Sequence, residues 1–325
     1  MISSAITPHP PTAERPLVLI EGDGSASPLS VDPLLIEREY RAHGALLLRG
    51  FMFDVAGFRA FAERICTTSV FNESPNRALI DPASTIQSVD KGVDAFPLHP
   101  ELSREPWRPD TCLFACFDAP AEGGETTVCD GVDIVAQLPL DLVGEMRRRR
   151  LLYIQPASPE VLQYWLGTAT PDDALLASPP PTCPYFFRRA GGRIVRAFSR
   201  ALLHKPMFHD GPAFGNFLLF ARDHLGLANF PCLDDGKPVP TAWLDAVRTA
   251  AAPITYAVPW RRGDIVLLDN SRFMHGRRAI VDPRRRMIAS YFGYVGFAEP
   301  DPAEPRDAPW RRGQFTPPAG PRPQT

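Results

Sequence analysis

The chain has 325 residues, of which 44% are hydrophobic, and its 35 lysines and arginines nearly balance its 37 aspartates and glutamates. This length and composition predict a folded globular protein. A formal net charge of -2 offers no basic surface of the kind that nucleic acids or anionic membranes attract, so the expected partner is a small molecule.

Membrane spans, targeting signals and cysteine motifs were sought next. No apolar run approaches the roughly 20 residues that cross a bilayer, and the start, MISSAITPHPPTAERP, lacks a basic stretch followed by an apolar one. We therefore expect a cytoplasmic protein with no membrane partner. The six cysteines form no CxxC pair, which argues against a disulfide framework and a structural zinc site, and Cys112 and Cys116 are expected to be small core residues.

Proline is abundant and concentrates at the two ends of the chain, where its fixed φ and missing amide donor oppose helices and central strands. We therefore predict an N-terminal tail over residues 1–15, a single domain over residues 16–298 and a proline-rich, mobile or surface-draped C-terminal tail over residues 299–325.

The predicted elements of the first half mix helices with short strands. Residues 32–44, DPLLIEREYRAHG, place apolar side chains at helical spacing before a closing glycine, and residues 54–65 predict a second helix. Between them, residues 44–51 form a short apolar run that suits a buried strand. Residues 110–119 predict another strand, and the paired glycines of residues 123–131 predict a turn that leads into one more.

The second half begins with residues 139–150, which predict a helix because acidic residues come early and basic residues late. Residues 192–198 predict a strand and residues 211–227 a helix. Residues 263–270 and 286–297 are rich in β-forming residues, so the segment SRFMHGRRAIVDPRR between them is predicted to be a loop. Dispersed strands with irregular connections favour a mostly β fold with flanking helices (α+β), arranged as an antiparallel sandwich or barrel.

The triplet His99-Pro100-Glu101 is the first candidate site. In extended backbone, alternate side chains point the same way, so His99 and Glu101 could approach one metal ion together, with Pro100 stiffening the link. Such a triplet alone also fits a surface loop. The best third ligand is His275, because it follows an apolar strand that could anchor it, whereas the other histidines lack such a setting.

Two histidines and one carboxylate leave coordination positions open, which suits a non-haem Fe(II) ion that must bind a cosubstrate and oxygen. A catalytic zinc ion can use the same ligands. The helical HExxH signature is absent, so a zinc hydrolase is kept as an alternative only.

Several further motifs occur in a fixed order around these residues, namely ESPNR, LHPELS, GGETTVCDG, GDIVLLDNSRFMHGR and the arginine-rich segment after it. In this series the sequence is similar to the Fe(II)/2-oxoglutarate dioxygenases of the taurine-dioxygenase-like family. It resembles most the subset with a glutamate ligand that is common in bacterial natural-product pathways. The resemblance runs from GALLLRGF to about Phe297 and implies a double-stranded β-helix, a jelly-roll core like that of cupins.

The resemblance implies a role for five residues. His99, Glu101 and His275 would be the iron ligands. Thr126 and Arg286 would bind the far carboxylate of 2-oxoglutarate. Chemistry supports the second pair, because a guanidinium holds a carboxylate through two parallel charge-assisted bonds and a hydroxyl adds a third donor.

Three consecutive arginines, Arg284, Arg285 and Arg286, compete for the carboxylate. On a strand, Arg285 should face away from the other two. Arg284 follows Asp282-Pro283 and is expected to lie in a solvated turn, so Arg286 is chosen.

The cofactors implied by the resemblance are Fe(II), 2-oxoglutarate and O2, and the implied reaction is oxidation of an unactivated C–H bond, with succinate and CO2 as coproducts. Hydroxylation is the expected outcome. Desaturation and cyclisation by the same oxidant are alternatives, as is a catalytically inactive binding protein on the same fold. Halogenation is disfavoured, because halogenases of the family replace the carboxylate ligand that Glu101 retains here.

The subset favours a small, amino-acid-derived substrate, either free or attached to a carrier. Sulfonate-oxidising relatives bind the substrate anion with an arginine at the position of Ser290, so a sulfonate is not expected here. Gln87, Ser88 and Arg200 are candidate substrate contacts together with Ser290. Each of them could equally be a surface or structural polar residue.

Overall fold

The computed structural model describes residues 6–284, 286–313 and 315–318. Within these ranges the α-helices are α1 (Pro33–His43), α2 (Val55–Ile65), α3 (Gly131–Gln137), α4 (Leu140–Arg147), α5 (Pro159–Leu166), α6 (Asp173–Ala177), α7 (Leu218–Asp223) and α8 (Thr241–Ala251). Short 3-10 helices cover Pro28–Ser30, Ala252–Ile254 and Pro309–Arg311.

The strands are β1 (Pro8–His9), β2 (Val18–Glu21), β3 (Ala45–Arg49), β4 (Cys66–Ser69), β5 (Gln87–Ser88), β6 (Phe96–His99), β7 (Thr111–Asp118), β8 (Thr126–Asp130), β9 (Arg150–Pro156), β10 (Phe186–Ala190), β11 (Arg193–Ala201), β12 (Cys232–Leu233), β13 (Tyr256–Ala257), β14 (Ile265–Asp269), β15 (Phe273–Arg277) and β16 (Met287–Val295). The chain is therefore a sheet-rich mixture of strands and flanking helices.

The largest sheet has eight strands in the order β1-β2-β3-β14-β7-β16-β4, with β5 paired to β16. Its central strand β14 is apolar from Ile265 to Leu268, because both of its faces are buried. In β14, Val266 and Leu268 join one hydrophobic cluster, whereas Ile265 and Leu267 join the other. The second cluster contains the inner faces of α1 and α2, so these helices cover one side of the sheet.

A smaller antiparallel sheet, in the order β13-β8-β15-β6, lies against the opposite side of the large sheet. The ring of Phe114 on β7 meets the ring of His275 on β15 at a centroid distance of 5.0 Å. The space between the two sheets therefore holds a predicted metal ligand. A third sheet, in the order β10-β11-β9-β12, contributes aromatic residues such as Tyr153 and Phe198 to the same core.

The ends of α1 show how local sequence sets the helix boundaries. The Asp32 side chain accepts a hydrogen bond from the Leu34 amide at the start, and Gly44 ends the helix in the left-handed conformation with φ 73°. This agrees with the predicted closing glycine. Among the described residues, no helix is long and apolar enough to cross a membrane. All six cysteines lie in the described ranges and are free, and Cys112 and Cys116 are buried.

The predicted loop between residues 271 and 285 was wrong in its first part, because Phe273–Arg277 form strand β15. This strand is buried along its whole length and pairs with β8 on one side and β6 on the other. His275 and Arg277 interrupt its apolar pattern, so the hydrophobic pattern did not predict this central strand. The metal-ligand candidate His275 is thus held on both sides by main-chain pairing.

Two predicted helices are shorter than expected. Over residues 211–227 only Leu218–Asp223 are helical, because Ala213 pairs with His204 and the Asn216 side chain accepts a hydrogen bond from the Leu218 amide. Over residues 139–150 the helix ends at Arg147 and strand β9 begins at Arg150.

Both predicted tails make ordered contacts in their described parts. Near the N-terminus, β1 pairs with β2. Near the C-terminus, Ala308, Trp310 and Phe315 are buried in the main hydrophobic cluster. The predicted domain limits at residues 16 and 298 remain predictions, but the packing of the protein continues beyond residue 298.

Candidate active site

His99, Glu101 and His275 come together between the two sheets. Each offers one ligand atom, and these atoms lie within 4.8 Å of one another. His275 is the direct cross-strand partner of His99, and their ring centroids are 4.6 Å apart. Glu101 Oε2 lies 3.6 Å from His275 Nε2. The structure thus gathers the three residues that the sequence singled out.

The backbone at Glu101 differs from the extended conformation that we expected. Strand β6 ends at His99, a turn begins at Glu101, and Leu102 has a φ of 49°, which is unfavourable for leucine. Asn270 stabilises this turn, because its Oδ1 accepts from the Glu101 amide at 2.7 Å and its Nδ2 donates to the Glu101 carbonyl at 3.0 Å.

His99 is held in the tautomer that binds metals. Its Nδ1 lies 2.9 Å from the Pro97 carbonyl, so Nδ1 carries the proton and Nε2 has a free lone pair. The Phe220 ring packs at a centroid distance of 4.5 Å. Burial, reinforced by the neighbouring His275, lowers the pKa of His99 to about 3, so the ring is neutral at physiological pH.

Two residues that the sequence analysis missed hold the Glu101 carboxylate. Asn72 Nδ2 donates to Oε1 at 2.7 Å, and Arg77 Nη2 donates to Oε2 at 3.2 Å. Burial acts to raise the pKa of Glu101, but Arg77 and His275 together hold it below its usual range. The carboxylate is therefore ionised. Arg77 ends the ESPNR motif and Asn72 immediately precedes it, so the signal was present in the sequence without an assigned role.

Two of the predicted substrate contacts support this pair. Ser290 is fully buried and accepts a hydrogen bond from Arg77 Nη1 at 3.0 Å. The Gln87 amide group exchanges two hydrogen bonds with the backbone of Asn72, at 3.0 and 2.8 Å. Both side chains therefore fix the residues that hold Glu101.

The other two predicted substrate contacts also have partners within the protein. The Ser88 hydroxyl accepts from the Ala78 amide at 2.9 Å. Arg200 donates to the Ser103 carbonyl at 3.1 Å and to the Pro106 carbonyl at 3.3 Å. These bonds favour the alternative interpretation of Arg200, that it is a structural residue.

The predicted 2-oxoglutarate residues both adjoin the glycine turn before β8. Arg286 Nη2 donates to the Gly124 carbonyl at 3.3 Å, and the Thr126 hydroxyl accepts from the indole of Trp260 at 3.1 Å. Gly124 has a φ of 71°, and a Cβ there would lie 3.1 Å from Arg286 Nε. A glycine is thus needed to leave room beside the guanidinium.

The neighbouring arginines differ from Arg286. The Arg284 side chain is 85% exposed and pairs with Asp282, as expected for a solvated turn. Arg285 lies outside the described residues.

The residues present fit both predicted cofactors. Two imidazoles and one ionised carboxylate that converge on one point are typical ligands of non-haem iron that keeps open positions. Among the described residues, the buried Nε of Arg286 has no hydrogen-bond partner. Burial, together with Arg277, lowers the pKa of Arg286 to about 10. A carboxylate would supply the missing acceptor and the missing negative charge.

The fold and the site therefore define a non-haem iron oxygenase. The family model for the taurine catabolism dioxygenase TauD, TfdA family matches residues 14–291, and the chain belongs to this family. Membership confirms the predicted class, an Fe(II)- and 2-oxoglutarate-dependent dioxygenase that uses O2.

Individual relatives are distant. A clavaminate synthase-like protein of Arabidopsis thaliana is 23% identical over 308 residues, which cover 86% of this chain and 91% of the relative. The dapdiamide synthesis protein DdaC of Enterobacter agglomerans is 21% identical over 303 residues, which cover 84% and 88%.

Solved structures agree on the fold. PvcB of Pseudomonas aeruginosa superposes with a TM-score of 0.59 at 16% identity, covering 93% of this chain and 96% of PvcB. A taurine dioxygenase of Burkholderia xenovorans gives a TM-score of 0.58 at 12% identity, covering 92% and 97%.

Proposed function

We propose that this dioxygenase hydroxylates an unactivated C–H bond of a small, amino-acid-derived substrate in natural-product biosynthesis. His99, Glu101 and His275 hold Fe(II), and Thr126 and Arg286 bind the far carboxylate of 2-oxoglutarate. The observations that carry this proposal are the convergence of two imidazole rings and an ionised carboxylate within 4.8 Å, and the buried Nε of Arg286, which has no hydrogen-bond partner among the described residues.

The fold supports this arrangement. We propose that the large sheet and the β13-β8-β15-β6 sheet are the two halves of a jelly roll, since they pack face to face with His275 between them. Iron and 2-oxoglutarate together would supply an oxidant that removes hydrogen from an unactivated C–H bond, with succinate and CO2 as coproducts.

The protein's own residues prepare the site for that chemistry. The Pro97 carbonyl fixes the tautomer of His99, and Asn72 and Arg77 orient the Glu101 carboxylate before any ligand arrives. The Phe220 ring packs against one side of His99. Arg286 positions the cosubstrate by charge and by its fixed planar fork.

The substrate class rests on relatives and on the retained glutamate. DdaC is named for dapdiamide synthesis, and PvcB comes from an isonitrile synthetic pathway, so biosynthetic roles occur among similar proteins. Gln87, Ser88, Arg200 and Ser290 stay predictions as substrate contacts, and their hydrogen bonds within the protein favour supporting roles.

The proposal is tested by a screen of free L-amino acids and carrier-linked aminoacyl thioesters for substrate-dependent, oxygen-dependent succinate formation. The expected hit gains one oxygen atom by mass spectrometry. A product that loses two hydrogen atoms would instead indicate desaturation or cyclisation. Turnover in zinc-loaded protein without oxygen would favour a hydrolase.

A matched pair of variants controls the screen. His275→Ala should remove succinate formation, whereas His43→Ala, at the partly exposed end of α1, should leave it intact. Equal activity of the two variants would contradict the proposed ligand set.

A further inference from the structure

The turn that carries Glu101 has no regular secondary structure from residue 101 to residue 110. Its carbonyls are held instead by side chains from distant parts of the chain. Arg200 binds two of them, Asn270 binds those of Glu101 and Pro109, and the Tyr294 hydroxyl donates to that of Trp107 at 2.7 Å. The position of Glu101 therefore depends on elements outside the turn.

The outer side of this turn is covered by a segment near the C-terminus, which we call the C-terminal strap and define as residues 301–313 and 315. Trp310 of the strap is fully buried, and its ring centroid lies 6.3 Å from that of Trp107. The Phe315 ring approaches Trp107 at 5.3 Å. Aromatic contacts of this kind stabilise the pair beyond the area that they bury.

A buried ion pair joins the strap to the end of the turn. Arg311 donates through Nη1 and Nη2 to the two carboxylate oxygens of Asp110, both at 2.8 Å, and through Nε to Glu304 at 2.7 Å. Only 4% of the Asp110 side chain is exposed. A two-pronged pair in this environment fixes both distance and orientation.

The same strap also holds the segment that supplies the partner of Glu101. The Phe315 amide donates to the Ser69 carbonyl at 3.2 Å, and the Phe71 amide donates to the Phe315 carbonyl at 3.4 Å. Phe71 directly precedes Asn72, which binds Glu101 Oε1. The strap thus contacts both the turn that bears Glu101 and the strand end that orients its carboxylate.

We propose that the C-terminal strap sets the position of Glu101 and that Arg311 is its main positioning residue. The strap contacts Asp110 and Trp107 at one end and the segment before Asn72 at the other. A looser strap would therefore let the distance between Glu101 and Asn72 vary more widely. The consequence for metal binding rests on the function proposed above, whereas the consequence for the turn itself does not.

The first test measures amide hydrogen exchange in the metal-free, full-length protein. Arg311→Lys keeps the charge but loses the planar fork, and we expect exchange over residues 101–110 and 70–73 to become about 10-fold faster. Arg312→Ala is the matched control, because this neighbouring arginine pairs with Asp307 at an exposed site. Unchanged exchange in Arg311→Lys, or an equal rise in Arg312→Ala, would overturn the proposal.

A second variant reaches the turn by another contact. Phe315→Leu shortens the side chain against Trp107 while keeping an apolar residue. Phe315→Leu should raise exchange in the same two segments. It replaces Arg311→Lys in the test if that variant does not fold. If exchange in these segments stays at the wild-type rate, the strap does not hold the turn.

The second test measures binding of Mn(II) by calorimetry. We expect Arg311→Lys to bind the ion about 10-fold more weakly, as for other supports of metal ligands. Val247→Ala, a cavity in the buried face of α8, controls for general loss of stability. An equal loss of affinity in Val247→Ala, or none in Arg311→Lys, would contradict the link to the metal.

The two tests separate the strap from the proposed function. If the wild-type protein binds no Mn(II) but exchange still rises in Arg311→Lys, the proposed metal centre fails and the strap's hold on the turn stands. If the wild-type protein binds Mn(II) but exchange does not change in Arg311→Lys, the metal centre stands and the strap proposal fails.

Discussion

The two ends of the candidate site differ in how complete they are. At the Glu101 end, both carboxylate oxygens already have donors, Asn72 on one and Arg77 on the other. At the Arg286 end, a buried guanidinium nitrogen has no acceptor among the described residues. We propose that the first end presents a metal ligand and that the second end binds an anion. Changes at the first end should therefore affect metal binding, and changes at the second should affect the cosubstrate.

The largest effect is expected for Glu101→Ala, which removes the only carboxylate of the three metal-ligand candidates. Succinate formation should fall by about 1,000-fold or more. Circular dichroism should show a folded protein, because Asn270 holds the turn through backbone groups. Turnover at the normal rate would mean that Glu101 is not a ligand.

A pH effect tests the end of strand β14 at Asp269. The next residue, Asn270, holds the turn of Glu101. Burial raises the pKa of Asp269 to about 6 against the bonds from Ser271 and the charges of Arg108 and Arg272. The folded state therefore binds the proton more tightly than the unfolded state, so stability is lost as pH rises from about 3.8 to about 6.

Asp269→Asn should remove this loss. Its free energy of unfolding relative to wild type should rise by about 3 kcal/mol between pH 3.5 and pH 7, measured by urea denaturation. Parallel stability curves for the two proteins would show that the carboxyl of Asp269 titrates normally.

At the second end, Arg286→Gln should raise the KM for 2-oxoglutarate by about 100-fold, because a charged two-pronged contact is lost. The affinity for Mn(II) alone should stay within about twofold of the wild-type value, because Arg286 is not a proposed metal ligand. Arg284→Gln is the control, since its side chain lies in solvent. A larger KM effect in Arg284→Gln would reassign the cosubstrate contact.

A smaller effect is expected for Asn72→Ala, which removes one of the two donors to Glu101. Metal affinity should fall by about 10-fold, with Arg77 still in place. Asn76→Ala, at an exposed position of the same segment, should change nothing. If calorimetry finds equal affinities for Asn72→Ala and wild type, the hydrogen bond to Oε1 does not support the ligand.

The sequence predicted the parts of the site that local pattern reveals. His99 and Glu101 share a triplet, and His275 follows an apolar strand, so their convergence could be predicted. The ESPNR motif marked the neighbourhood of Asn72 and Arg77, but their role depends on contacts across the fold and could not be assigned from the sequence.

The ends of the chain show a different limit. Proline content suggested a tail after residue 298, since prolines oppose regular structure. Yet Trp310 and Arg311 find partners in the core and at Asp110, and irregular backbone can pack as well as a helix or strand. Similarly, His275 and Arg277 obscured β15, because polar side chains that face a site break the apolar pattern of a buried strand.

The proposed metal and cosubstrate site is tested most directly by the absorption spectrum of the metal-free protein after anaerobic addition of Fe(II) and 2-oxoglutarate. We expect a weak visible charge-transfer band in the wild-type protein that requires both additions and is absent in His275→Ala. A folded, iron-loaded wild-type protein without this band would contradict the proposed site.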